Sequence, residues 1–155
     1  MKKITFLVVL LVVSFIQAQS LPFDFESSQP FVGGDNATVS AIDDNGGKVL
    51  QIVGIGAAWD NANVTFGNPL DLSNANANTI KFRMKAPGAA EGAVQEHLLK
   101  FELPTEGADL EKTFITTGSD WQDIEVDMAK GNQVSPTSYG RMVIMVDWGG
   151  GPTAS

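Results

Sequence analysis

The stretch from Trp121 to Trp148 constrains the fold more than any other. Residues 121–128 read W-Q-D-I-E-V-D-M. In an extended chain Trp121, Asp123, Glu125 and Asp127 fall on one face, and Gln122, Ile124, Val126 and Met128 on the other. That period-two alternation marks a strand with one covered face; a helical period would scatter both sets. Arg141 to Val146 is nearly continuous in apolar residues, so it reads as a strand covered on both faces. A connection rich in Gly, Asn, Ser and Pro, from Gly131 to Ser138, separates the two. Strands of this kind joined by punctuating loops predict an antiparallel sandwich.

The remaining chain agrees. Thr79 to Ala86 sets Ile80, Phe82, Met84 and Ala86 against Lys81, Arg83 and Lys85, and His97 to Leu103 sets Leu99, Phe101 and Leu103 against Leu98, Lys100 and Glu102. Asp43-Asp44-Asn45-Gly46-Gly47 is a hairpin turn, because Asn-Gly and Gly-Gly accept a positive φ. It joins strands expected over Ala37 to Ile42 and Lys48 to Val53. Leu21 to Ser27 reads as a short edge strand, given Pro22, and Gly33 to Asn36 as a turn. Short strands are expected at Asn63 to Phe66 and Lys112 to Thr117, and a loop or single helical turn over Ala89 to Glu96. About eight or nine strands without a long helical period predict an all-β fold, an antiparallel β-sandwich of the jelly-roll kind.

Residues 1–18 stand apart. Lys2 and Lys3 precede an apolar run of ~13 residues, Ile4 to Ile16, and Ala18 is a plausible cleavage residue. The run falls short of the ~20 residues that span a bilayer, so it reads as a secretory signal peptide. The expected mature unit, 19–155, is one domain with no membrane insertion after cleavage. Localisation is then secreted: extracellular, periplasmic or at the cell surface. The chain has no cysteine, so an exported fold must rely on its core or on metal. The formal charge is −8. Without a basic stripe to meet phosphates, a nucleic-acid partner is disfavoured, while neutral sugars and divalent cations suit the chain.

Several residues could carry chemistry. Asp123, Glu125 and Asp127 alternate on one strand face, as carboxylates do in laminarinase-like glycosidases. The order of Asp and Glu is reversed here, and a solvated strand face explains the triplet more simply. His97 is the single histidine; with no nucleophile elbow around a serine, it reads as a surface residue. Asp24, Glu26, Asp43 and Asp44 offer hard oxygens near turns, which suits calcium. Trp121 reads as a buried anchor. Trp59, in a loop with Asp60 and Asn61, and Trp148, after Asp147 at a strand end, could each stack an indole on a pyranose ring. Arg83, Lys100 and Glu102 lie on outward strand positions, where charged side chains can bond sugar hydroxyls.

The segments F-D-F-E, G-A-A-W-D, N-P-L-D-L-S, T-I-K-F-R-M-K-A-P, H-L-L-K-F-E, W-Q-D-I-E-V-D and Y-G-R-M-V-I-M-V-D-W-G occur in this order between Leu21 and Gly149. Together they resemble the galactose-binding-like jelly-roll carbohydrate-binding modules of secreted bacterial polysaccharide-degradation proteins. The resemblance implies a non-catalytic module that binds a polysaccharide or oligosaccharide, often attached to a glycoside hydrolase in a longer protein. It also implies a structural calcium, here involving Glu26 and Asp24. Such modules finish with a further strand that Gly149 to Ser155 does not supply, so the expectation is a C-terminally truncated sandwich lacking its last strand. They often carry an aromatic before the proline of the fifth strand, where this chain has Lys85-Ala86-Pro87. The expected carbohydrate-binding residues are Trp59, Asp60, Asn61, Arg83, Lys100, Glu102 and Trp148. Two other classes compete: a structural or adhesive β-sandwich domain of a larger surface protein, and a small glycosidase.

Overall fold

The computed structural model describes residues 23, 25–26, 29–57, 59–73, 78–87, 89–104, 109–128 and 138–148. The expected signal peptide and the connection over 131–137 lie outside them. Nine strands are present among the described residues: β1 (Val32–Gly34), β2 (Thr38–Asp44), β3 (Gly47–Val53), β4 (Asn61–Leu70), β5 (Thr79–Met84), β6 (Val94–Glu102), β7 (Leu110–Thr117), β8 (Gln122–Asp127) and β9 (Tyr139–Met145). All pair antiparallel. A five-stranded sheet has the order β1-β4-β9-β6-β7, and two further pairs are formed by β2-β3 and β5-β8.

The molecule is an antiparallel β-sandwich. The five-stranded sheet turns Val64, Phe66, Leu99, Phe101, Leu110 and Met142 toward one core, and β5 and β8 answer with Ile80, Phe82, Ile124 and Val126. Val39, Leu50 and Ile52 pack the β2-β3 hairpin against the same core. These are the apolar members of the alternating runs; a slip of one residue in any strand would turn them to solvent. A ring contact joins the layers, Phe82 of β5 lying 5.2 Å from Phe114 of β7, centroid to centroid, and within the large sheet Phe101 lies 6.4 Å from Phe66 and 6.0 Å from Tyr139.

Asp44 joins the two smaller pairs. Its carboxylate accepts Lys85 Nζ at 2.9 Å and Trp121 Nε1 at 3.1 Å. Lys85 and Arg83 both sit over the Trp121 ring, 4.8 and 5.5 Å from its centroid. The hydrogen bond from Lys85 is the first cause holding the Asp44 carboxyl below its ordinary range. Trp121 thus serves as the anchor its place at a strand start suggests, half-buried rather than fully so.

Some boundaries differ from expectation. Phe25 and Glu26 form a turn, not an edge strand, and the edge strand is Val32–Gly34, where the paired glycines suggest a turn. The actual turn follows at Asp35, whose φ is 56°. β6 starts at Val94, so the expected loop over 89–96 is partly strand, and His97 lies inside the strand. This reverses the surface assignment of His97: its side chain faces the core and is 2% exposed.

Candidate functional site

Register decides which residues share a face. Asn61, Asn63 and Thr65 of β4 lie opposite Met145, Val143 and Arg141 of β9. Those in turn lie opposite Leu98, Lys100 and Glu102 of β6, and β7 adds Thr113 and Glu111 beside Leu98 and Lys100. All project from the side of the five-stranded sheet that faces away from the core.

The face divides into two bands. One is apolar. Leu98, Val143 and Met145 form a second small cluster, and the Trp148 indole packs against it. The Trp59 ring meets Trp148 edge-on, with centroids 4.9 Å apart and planes at 71°, and Trp59 is 57% exposed. This explains the continuous apolar run at Arg141 to Val146: β9 is central in its sheet, and both of its faces carry apolar cover.

The other band is polar and runs across the strands. The Asn61 carboxamide donates to Asp35 Oδ2 at 3.0 Å and to the Trp59 carbonyl at 2.8 Å. Asn63 Nδ2 donates to Asn61 Oδ1 at 3.0 Å, and Arg141 Nε donates to Asn63 Oδ1 at 3.3 Å. Arg141 Nη1 reaches Glu102 Oε2 at 2.9 Å. Lys100 Nζ then bridges Glu102, Asp109 and Glu111 at 3.3, 2.8 and 3.5 Å. Burial pulls the Lys100 ammonium downward, but the bond to Asp109 and the charge of Glu102 outweigh it, so its net shift is upward. Gly34 makes the start of this band possible, since a Cβ there would collide with the Asn61 carboxamide. At the other end the register shift between Thr65 and Leu70 opens a cavity of about 490 Å³ lined by Thr65, Gly67, Pro69, Glu102, Pro104 and Arg141. That volume lies within the range of small-ligand clefts.

The structure therefore unites Trp59, Asn61, Lys100, Glu102 and Trp148 on one face. It does not bring two other expected members there. The Asp60 carboxylate is 1% exposed and points into its own loop, where Oδ2 accepts the amides of Ile55 at 2.7 Å and Ala57 at 3.0 Å. It shapes the loop that carries Trp59 and offers no group to a surface ligand. Arg83 lies on β5, in the other layer, and pairs with Asp123 across the strand at 3.1 Å. An outward position on a strand does not reveal which sheet the strand joins.

Asn63 and Arg141, by contrast, belong to the face and escape a reading from the sequence. Each had a signal: Asn61 and Asn63 are two apart and so share a side, and Arg141 is the lone charge in an apolar run. The carboxylates expected on one face of β8 are so placed, and Lys81 holds Glu125 at 2.7 Å. Both side chains of that pair are exposed, as are those of Arg83 and Asp123, and such pairs add little to stability. They form an ion-paired outer surface, as the simpler reading of the triplet expects.

Of the residues considered for calcium, Asp44 is engaged by Lys85 and Trp121, Glu26 accepts the Lys48 amide, and Asp24 lies outside the described residues. Among the described residues no group of three or more acidic, histidine or cysteine side chains could hold a metal.

No family model, no curated protein and no solved structure matches this chain.

Proposed function

We propose that the chain is a secreted, non-catalytic module that binds a neutral polysaccharide on the outer face of its five-stranded sheet. One observation carries the reading: an edge-on Trp59–Trp148 pair, one ring largely exposed, stands beside a hydrogen-bonded band of amides and charges. A pyranose has the matching character. Its C–H face stacks on indole, while its hydroxyls, each both donor and acceptor, suit amides, carboxylates and cations held in place. The band is tied together before any ligand arrives, so little order need be created on binding.

Charge favours a neutral glycan. The band holds the cations Lys100 and Arg141 among the carboxylates Asp35, Glu102, Asp109 and Glu111. The excess is acidic and disfavours sulfated or uronic chains.

Trp59→Ala should weaken binding of a soluble neutral polysaccharide by about 10- to 30-fold, or about 1.4 to 2 kcal/mol. Retardation in polysaccharide-containing native gels, together with an unchanged unfolding midpoint, would read this directly. Unaltered retardation in the variant would remove Trp59 from the site. Failure of the parent chain to be retarded by a broad set of glucans, mannans, xylans and galactans would sink the reading. A structural calcium at Asp24 and Glu26 is the accompanying proposal. It requires EDTA to lower the unfolding midpoint and added calcium to restore it; a midpoint indifferent to both excludes it.

A structural or adhesive domain is the second reading. Val94 and Ile115, 65% and 55% exposed, lie at the β6–β7 end of the same face. Exposed apolar side chains of this kind suit a protein partner.

A further inference from the structure

His97 makes two hydrogen bonds, and their polarity fixes its protonation state. Nδ1 accepts the backbone N–H of Asp147 at 3.1 Å. A ring nitrogen that accepts must keep its lone pair, so the proton of the neutral ring is on Nε2, and it is donated to Thr116 Oγ1 at 2.8 Å. A second proton could enter only at Nδ1, where it would face the Asp147 N–H donor to donor.

The bond at stake secures an unusual turn. Asp147 has a φ of 57°, in the left-handed region that side chains other than glycine seldom occupy. The next residue is Trp148, whose ring lies against Trp59 and the cluster of Leu98, Val143 and Met145. On the other side of the turn, the Val146 amide donates to the Asp60 carbonyl at 3.4 Å, next to Trp59. The residue that His97 holds, Asp147, is therefore next in the chain to Trp148, and the histidine is tied to the aromatic pair through this turn.

We infer that His97 is an acid-operated latch: protonation at Nδ1 expels the Asp147 N–H, frees the turn over residues 146–148 and separates Trp148 from Trp59.

The groups facing the ring set where the latch moves. From β7 come Phe114, with its ring centroid 5.1 Å away, and Thr116, both neutral. From β6 comes the Glu96 carboxylate, and from the turn that of Asp147. Burial is the largest influence and lowers the histidine below its ordinary 6.5, while the charges of Asp147 and Glu96 oppose it. The sign follows. Above 6.5 the ring is neutral whether the turn is closed or open. Below it the open form takes up a proton the closed form resists, so the closed turn loses stability as pH falls from 6.5 toward the lower, closed-state value.

A single histidine and three tryptophans make the test direct. The full chain, without any glycan, is titrated from about pH 7.5 to about pH 4.5 while the His97 ring and the indole N–H signals are followed by NMR. The Trp59 and Trp148 signals, assigned through Trp59→Phe and Trp148→Phe, should move with the same midpoint as the ring, below 6.5. Trp121, held by Asp44, should stay still and serve as the internal control. His97→Gln can accept from Asp147 and donate to Thr116 without titrating, so it should keep all three indole signals at their neutral-pH positions. A ring that titrates while Trp59 and Trp148 stay fixed overturns the latch. So does a His97→Gln chain that repeats the parent's acid transition, or a parent whose indole signals change only when the whole chain unfolds. If the glutamine variant does not fold, co-titration in the parent chain still decides. None of these readouts involves a sugar, so the latch and the proposed function can fail separately.

Discussion

Asp60→Ala is expected to lower the free energy of unfolding by about 3 kcal/mol. The carboxylate is buried, and one oxygen accepts two backbone amides, those of Ile55 and Ala57. Alanine would take that acceptor from both amides, which are only part-buried, and leave the space of a buried carboxylate empty; an unsatisfied donor costs about 1–3 kcal/mol when buried. The second oxygen has no partner among the described residues, which offsets part of the gain of the native carboxylate. Gly54 completes the arrangement, because a Cβ at that position would run into the Asp60 carboxylate. Urea unfolding of parent and variant measures the difference; a loss below about 1 kcal/mol would mean that water replaces the carboxylate at little cost. The same substitution frees the loop that carries Trp59, so the glycan affinity proposed above should fall although the Asp60 side chain is buried in its own loop. Asp60→Asn keeps an oxygen acceptor and should recover most of the stability.

Phe101→Ala is expected to cost about 3–5 kcal/mol. Phe101 is 0% exposed in the middle of β6 and touches rings from β4 and β9. Truncation leaves a void that the aromatic partners cannot fill without leaving their own contacts. Its neighbours Lys100 and Glu102 point to the opposite side of the sheet, into the polar band. Core and site are thus one residue apart on one strand. Phe101→Ala should lower the urea midpoint sharply yet leave the proposed glycan affinity unchanged wherever the variant is folded. A small loss, under about 1.5 kcal/mol, would contradict its central burial.

The strands were legible because burial leaves a period in the sequence. Residues 79–84 and 122–127 alternate strictly, and the structure pairs them as β5 and β8 with Lys81 against Glu125 and Arg83 against Asp123. The continuous run after Arg141 is a central strand. What the sequence could not display was adjacency. Nothing local tells Arg83 from Lys100, both cations on outward strand positions, yet β5 and β6 lie in different layers. Asn63 and Arg141 are 78 positions apart, and only the β4–β9 register makes them partners. His97 reads as a surface residue for a smaller reason: Gln95 and Glu96 resemble loop sequence, and the true start of β6 at Val94 moves the histidine from a strand end to its interior. Val32–Gly34 is strand because the Asn61–Asn63 backbone offers it a partner, whatever the local preference of two glycines.

The position of β9 also governs when the sheet can form. β4 bonds to β9 and β6 bonds to β9, so the two are joined only through a strand that comes latest among those described. During synthesis, β6 and β7 can pair early, as can β2 and β3, because their partners are near in sequence. The large sheet stays in two halves until Tyr139–Met145 arrives and closes it from the middle. Such late, long-range closure makes folding slow. The Lys100 bridges to Glu102, Asp109 and Glu111 can form with the β6–β7 pair, whereas the Arg141 bonds to Asn63 and Glu102 and the contact of Trp148 with Trp59 wait for β9 and come into being together.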